Sequence, residues 1–299
     1  MVRKWKNKSF LEKIIYIFIY LFMIFLCIVC IAPILHVAFA SISDPKYIMA
    51  HSGIILWPKD MTLEGYKIVF KTRSIMQSYA NTLFYVLAST GIGFLVTVMA
   101  AFPLSRKNLL WKNIIMLIIS FTMLFNGGMI TFYMVVKKLG LYNSIWSVIL
   151  PGCASVFNLI LVRTAMQSVP EALEESAKLD GAGPMTILFR VYLPLIKPTL
   201  ATVILYMVIG QWNSWFQASL FLTDRAKYPL QLILREILVK NDVNSVMASS
   251  SGELAGLADL YKQIVKYCCI MVSTVPVLVF YPFVMKYFKS GVMLGSLKG

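Results

Sequence analysis

Charge is scarce in this sequence, and its absence is concentrated. Only 14% of the 299 residues are Asp, Glu, Lys or Arg, against roughly 25% in an ordinary soluble domain. None lies within six long apolar blocks. These run from Ile14 to Phe39, between Arg73 and Arg106 (densest from Tyr79 to Phe102), from Ile114 to Val136, Leu139 to Val162, Thr199 to Phe221 and Tyr267 to Met285. So little polar surface excludes a soluble globular domain. The blocks also lack the alternation of apolar and polar residues, in segments of about ten, that a membrane barrel requires.

Other absences narrow the chemistry. Proton- and ion-coupled carriers place ionisable side chains at membrane depth, where they are costly and kept for function. Here only His36 comes near, at the outer end of the first block. It reads as a hydrated or hydrogen-bonded interfacial residue. There is no H-E-x-x-H, no G-x-S-x-G and no carboxylate pair within the blocks, so catalysis of those kinds inside the membrane is excluded. The G-x-x-x-x-G-K-[ST] phosphate loop is missing too. Any uphill movement of a solute must draw its energy from another polypeptide. No break in composition marks a second folded domain, and no internal repeat is evident.

What is present suits hydrocarbon. Hydrophobic residues make up 59% of the chain, and mean hydropathy is +0.76. Each block is long enough to cross an apolar core roughly 30 Å thick. Backbone groups in lipid must be satisfied within their own segment, so six transmembrane helices are expected, in an all-α membrane protein. The first follows a basic leader (Arg3, Lys4, Lys6, Lys8) and is too long for a signal-peptide core. No small-x-small cleavage site follows it, so it reads as a retained signal anchor. The net charge of +15 sits in tail and loops and reads as topogenic charge, not as a nucleic-acid surface. The tail and the Arg106, Lys107, Lys112 loop then face the cytoplasm, and an even number of spans puts both termini there.

Smaller features receive structural readings. Cys27 and Cys30 form a C-x-x-C pair with no His or second pair nearby, and read as packing residues, as do Cys153, Cys268 and Cys269. Ala88, Gly91 and Gly93 read as sites of close helix packing. Two long connections, about Ala40 to Ser78 and Leu222 to Lys266, are expected outside. Asp44, Pro45, Trp57 and Pro58 read as turns in the first. In the second, Leu232, Ile233, Ile237 and Leu238 follow helical spacing after Tyr228-Pro229-Leu230-Gln231, and Ser249 to Gly252 reads as a flexible tip. The organisation is thus a basic tail over 1–13, a six-span body over 14–289 and a tail over 290–299.

The inner connection from Arg163 to Lys197 differs in kind. Ser168-Val169-Pro170-Glu171 fits a capping box with proline in the first turn. Glu171, Glu174 and Glu175 place negative charge near the helix N-terminus, which the macrodipole favours. Leu173 and Ala177 share a face. Gly181 can end the helix in a left-handed conformation, and Pro184 can open a second short helix bearing Ile187, Leu188 and Val191. A helix–turn–helix elbow is expected to project from the bilayer.

That elbow carries a signature. Glu174-Glu175-Ser176-Ala177-Lys178-Leu179-Asp180-Gly181-Ala182, then Val191-Tyr192-Leu193-Pro194, resembles the EAA loop of ABC importer permeases, with Ser176 and Val191 as mild departures from that pattern. Gln211-Trp212-Asn213-Ser214-Trp215-Phe216 is similar to an element of maltose-type carbohydrate permeases. So is the ending from Lys286 to Val292 and from Gly295 to Gly299. Asn126 to Ile130 and Tyr228 to Gln231 resemble the branch associated with complex polysaccharides and oligosaccharides.

The resemblance implies a type I importer fold: two six-helix permeases, two ATPases and an external sugar-binding protein. It implies that Glu171, Leu173, Glu174, Glu175, Ala177, Asp180, Gly181, Ala182, Leu193 and Pro194 couple this chain to the ATPase, which alone binds ATP and Mg2+. Glu174 and Glu175 would meet basic groups of that partner, with Leu173, Ala177 and Ala182 packed into its groove. The side-chain types that can stack on and hydrogen-bond a sugar occur at Gln211, Trp212, Asn213, Trp215, Gln217, Asn81 and Asn158, although helix-gluing amides and interfacial tryptophans have the same composition. Competing readings are a permease for another solute, a passive channel or secondary carrier, and a membrane enzyme or scaffold, for which no reactive constellation is found.

Overall fold

The computed structural model describes residues 10–51, 53–125, 127–239 and 258–295, with side chains of the last helix described over 262–282. The basic leader, Asn126, the Ser249 to Gly252 stretch and the side chains of the C-terminal signature lie outside the described residues. In chain order the helices are α1 (Phe10–Ser41), α2 (Pro45–Ala50), α3 (Glu64–Lys71), α4 (Arg73–Ser105), α5 (Lys112–Leu124), α6 (Gly128–Lys138), α7 (Trp146–Cys153) and α8 (Val156–Gln167). They continue with α9 (Glu171–Leu179), α10 (Pro184–Ile187), a π-helix (Leu188–Tyr192), α11 (Leu193–Leu195), α12 (Lys197–Trp212), α13 (Phe216–Phe221), a 3-10 turn (Arg225–Lys227), α14 (Leu230–Val239) and α15 (Ala258–Gly295). No strand occurs among the described residues.

Four segments are single helices or near-continuous runs able to cross a membrane: α1, α4, Trp146–Gln167 and Lys262–Pro282. Two more spans are formed only if α5 pairs with α6, and if α12 pairs with the Pro184–Leu195 segment, which it meets at 87°. The expected count of six holds when each bent pair is counted as one span.

Two compact units divide the chain, at Thr72/Arg73 and again within α15 at Val272/Ser273. In the first, the large apolar side chains of α1 from Phe10 to Leu35 are exposed, as suits a helix bathed in lipid. The exposed Cys27 and Cys30 face outward with them, so they are not internal packing residues. His36 accepts a hydrogen bond at Nδ1 from the Ile55 N–H (3.0 Å) and meets the Tyr267 ring edge-on. Asp44 caps α2 through the Lys46 and Tyr47 amides, so Asp44-Pro45 opens a helix where a turn was expected. Ser41, Tyr66 and the buried Cys268 close the same unit by hydrogen bonds.

The second unit is organised on α4. Its core joins Val98, Ala101 and Leu104 of α4 to Leu159, Val162 and Met166 of α8, to Ile187, Leu188 and Tyr192 of the elbow, and to Leu200, Val203 and Met207 of α12. Gly93 faces the Cys153 backbone, where an added Cβ would sit 2.8 Å from the carbonyl oxygen. Close packing is real there. Gly91 meets nothing within 4 Å, so that expectation fails for it.

Three block boundaries shift. Leu139 to Ile145 is a loop, in which Gly140 and Asn143 have positive φ. The Asn143 Oδ1 accepts the Thr223 and Asp224 amides, a clip that competes with helix. At the other end α8 runs past Arg163 to Gln167, because Arg163 is held within the bundle by donating from Nε to the Leu104 carbonyl at 2.9 Å. The fifth block is interrupted between Trp212 and Phe216.

Candidate functional site

The elbow begins where α8 ends. Ser168 caps the C-terminus of α8, donating its hydroxyl to the Ala165 carbonyl at 2.8 Å. Pro170 is the N-cap of α9, with no side-chain cap bond. The expected capping box does not form, because α8 continues far enough to use Ser168 itself. At the other end Ala182 N–H bonds the Ala177 carbonyl (2.9 Å) and Gly181 N–H bonds that of Lys178 (3.0 Å). With Gly181 at φ +77°, this is the Schellman arrangement, which satisfies the last carbonyls of a helix. The π-helix ends just before Pro194, whose missing N–H leaves a carbonyl of the preceding turn free.

Burial sorts the elbow residues by face. Glu174 is 7% exposed and held entirely by its own chain. It ion-pairs with Arg106, its Oε1 accepts from Lys178 Nζ at 2.8 Å, and its Oε2 accepts from the Tyr192 hydroxyl at 2.8 Å. Arg106 stacks on the Phe102 and Tyr192 rings and donates to the Tyr192 oxygen. Burial lowers its pKa from the ordinary value, opposed by Tyr192. Ala177, Ala182 and Leu193 pack against the core. Glu174 is therefore turned toward its own chain, and Ala177, Ala182 and Leu193 are half-buried beside it; a helix repeats every 3.6 residues, and this register sets Glu174 and Ala177 on the inner side of α9.

The outward face carries other residues. Glu171, Leu173, Glu175, Asp180, Gly181 and Pro194 are exposed. Leu179, 89% exposed, was missed by sequence reasoning. Its signal was a leucine among polar neighbours on the side of the helix opposite Ala177. Lys107 and Glu171 pair at 2.6 Å on the surface. The hydrogen bond and charge of Lys107 lower the Glu171 pKa, and the same pair raises that of Lys107. Arg106 and Lys107 thus fasten the loop after α4 to the elbow. A groove of about 710 Å3 between them is lined by Arg106, Lys107, Glu171, Glu175, Lys178 and Met185, among others.

A second site forms where two helix breaks meet. The chain leaves helix between Cys153 and Val156, and again between Trp212 and Phe216. A cavity of about 560 Å3 opens there, lined by Ser155, Asn158, Gln211, Asn213, Trp215 and Gln217, together with Phe157, Tyr206 and Phe216. Phe157, Tyr206, Ser155 and Gly152 were not anticipated as path residues. Gly152 sits where an added Cβ would lie 2.8 Å from Gln211 Oε1 and 3.0 Å from Ser89 Oγ. Ser89 is the central residue of α4, so the cavity lies level with the middle of that span. Irregular backbone at such depth is tolerated where it lines a cavity.

Two expected path residues are elsewhere. Trp212 is buried, donates Nε1–H to the Ser273 carbonyl at 3.1 Å and packs on Tyr79. Asn81 donates to the Ala226 and Tyr228 carbonyls at 2.8 and 3.1 Å. Beside it Tyr85 donates to the Lys227 carbonyl, and Thr82 accepts the Leu230 N–H. Asn81 is a clasp on the Tyr228-Pro229-Leu230-Gln231 turn, because that turn exposes unpaired carbonyls to α4.

A multi-pass helical membrane protein with a polar elbow between spans and a polar cavity level with the middle of a span has the build of a transport permease. The chain belongs to the family of binding-protein-dependent transport system inner membrane components, whose profile matches residues 93–251. It is 37% identical to the polygalacturonan/rhamnogalacturonan transport system permease protein YtcP of Bacillus subtilis (strain 168), over 94% of this chain and 97% of that one. Protein LplC of the same organism is 36% identical, over 91% and 90%. Among solved structures, a bacterial ABC transporter involved in import of the acidic polysaccharide alginate has a chain with a TM-score of 0.86 at 31% identity, covering 94% of this chain and 99% of that one. The type I permease fold expected from sequence is therefore the fold of this protein, and its function is that of an ABC importer permease. As a member of this family it is a component of a transport system, not a transporter alone.

Proposed function

We propose that this chain forms half of the translocation path for a saccharide, an oligosaccharide or polysaccharide fragment. The observation that carries the reading is the cavity at the two helix breaks. Amides at Asn158, Gln211, Asn213 and Gln217 lie beside the aromatic rings of Phe157, Tyr206 and Trp215, the combination that hydrogen-bonds hydroxyls and stacks on sugar faces. The relatives named for polygalacturonan, rhamnogalacturonan and alginate support the same class of cargo.

The remaining parts of the machine follow. A related second permease supplies the other half of the path, two ATPases bind ATP and Mg2+ and do the hydrolysis, and an external binding protein delivers the sugar. Both termini and the elbow face the cytoplasm, with the connections 40–78 and 222–266 outside. The outward face of α9, with Leu173, Glu175 and Leu179, docks on the ATPase, which tilts the spans as a rigid body when it closes. Catalytic chemistry is absent from this chain's role.

Site-directed cross-linking in the assembled transporter tests this docking. In a background without native cysteines, Leu179→Cys and Glu175→Cys are expected to link to the ATPase subunit, and Ala177→Cys is not. A link from Ala177 but none from Leu179 would reverse the assigned face. ATP-driven uptake of an oligosaccharide into proteoliposomes of the complete complex tests the cargo; uptake that persists without the ATPase would sink the coupling.

A further inference from the structure

One cation near the cavity has no anion among the described residues. Between Leu222 and Val239 the cations are Arg225, Lys227 and Arg235, and the anions are Asp224 and Glu236. Glu236 pairs with Arg225 at 2.9 Å and Asp224 with Lys227 at 3.6 Å. Among the described residues Arg235 has no carboxylate within ion-pair reach. Its guanidinium carbon instead lies 4.1 Å from the centre of the Trp215 ring, and Trp215 lines the polar cavity.

The support beneath Arg235 is firm. Leu230, Leu232, Ile233 and Ile237 of α14 are buried, and the first turn is fixed by the bond from Leu230 N–H to Thr82 Oγ1 at 2.7 Å. The Arg235 side chain itself is half-buried. A guanidinium laid on an indole is held by cation–π attraction with its N–H edge free. That edge matches a carboxylate in two parallel hydrogen bonds, and a pre-oriented arginine loses little freedom in making them. Neutral hydroxyls are already served by the cavity's amides, but a sugar carboxylate needs a cation, and the cavity lining itself holds none; Arg235, reached through Trp215, supplies one.

We infer that Arg235, seated on Trp215, recognises a carboxylate of the cargo, so that the saccharide is one containing uronic acid residues. This rests on the saccharide reading above and assigns its charge. The contact selects substrate; it drives no step of transport.

The test is binding to the purified permease–ATPase complex, without the external binding protein, using trigalacturonate and its fully methyl-esterified form. The wild type is expected to bind the acid more tightly than the ester. Arg235→Ala should weaken binding of the acid about tenfold, the scale of a lost charge-assisted hydrogen bond, and leave the ester within about twofold. Arg235→Lys, which keeps the charge but not the fork, should fall between. An equal loss for acid and ester would make Arg235 a prop for Trp215 and overturn the inference. So would equal wild-type affinity for the two probes, or binding of neutral maltotriose alone, and in both cases the saccharide reading survives. Failure to bind any of the three sugars would remove both.

Discussion

The Tyr192 hydroxyl donates a 2.8 Å hydrogen bond to Glu174 Oε2, joining the two arms of the elbow. The same carboxylate is met by Arg106 from the loop after α4 and by Lys178 one turn along α9. The elbow is therefore braced from inside its own chain, and its two adjacent glutamates have opposite duties. Glu174 holds the elbow's shape, whereas Glu175 stands exposed.

Removing the brace should loosen the elbow before it affects anything else. Tyr192→Phe is expected to cost about 2 kcal/mol, and Glu174→Ala about 3 kcal/mol because Arg106 is left half-buried without its anion. Amide hydrogen exchange over 171–182 should quicken in both. Glu175→Ala should leave exchange unchanged and lower ATP-driven uptake. Equal protection in wild type and Glu174→Ala would show that the internal network contributes nothing.

Gly181 separates backbone strain from partner contact. At φ +77° a side chain costs about 1–2 kcal/mol, and among the described residues, its two chain neighbours aside, no atom lies within 4 Å of an added Cβ. Gly181→Ala and Gly181→Leu should then lower the thermal stability of the isolated subunit by similar amounts. In the assembled importer the leucine should abolish uptake while the alanine retains part. Matched uptake in the two variants would argue against close approach of a partner at this glycine.

The Lys107–Glu171 pair sets a pH window. Glu171 is pulled below its ordinary 4.5 by its hydrogen bond to Lys107 and then by that charge. Its contribution is present above 4.5 and is lost as pH falls through the lowered value. Lys107 is raised above its ordinary 10.5, chiefly by the hydrogen bond to Glu171, so its contribution holds below 10.5 and disappears as pH rises through the raised value. Lys107→Met should reduce amide protection at the start of α9 at neutral pH and make no difference in strong acid. Because both groups are exposed, added salt should shrink the effect. A difference that survives strong acid would mean another interaction is at work.

The two amide positions, Asn81 and Gln211, should part company. Asn81→Ala removes the clasp on the Ala226 and Tyr228 carbonyls, costing about 1 kcal/mol of stability with saccharide affinity unchanged. Gly152→Val should do the reverse, displacing Gln211 into the cavity and weakening binding. Titrating both variants with the transported saccharide decides it; loss of affinity in Asn81→Ala would return that residue to the path.

Much of the architecture was readable because lipid is a demanding solvent. A charge-free run such as Ile14 to Phe39 has few folds open to it. The elbow was readable for a local reason, since the left-handed turn at Gly181 and the restart at Pro184 depend on residues a few positions apart. Ser168 was misread because whether α8 stops at Val162 or continues depends on Arg163 finding the Leu104 carbonyl, a contact distant in sequence. Arg106 was legible as a topogenic charge but not as the counter-ion of Glu174. Asn81 had the composition of a binding residue and the geometry of a clasp.

Apolar block lengths and local turn chemistry were enough, from sequence alone, to establish a multi-span helical body with a polar elbow between two of its spans. The tertiary structure decided which face of that elbow is free, and which amides share a cavity. Those outcomes depend on pairings between distant segments, such as Arg106 with Glu174 or Gln211 with the Val148 carbonyl, and a helical period specifies faces without naming the neighbour each will meet.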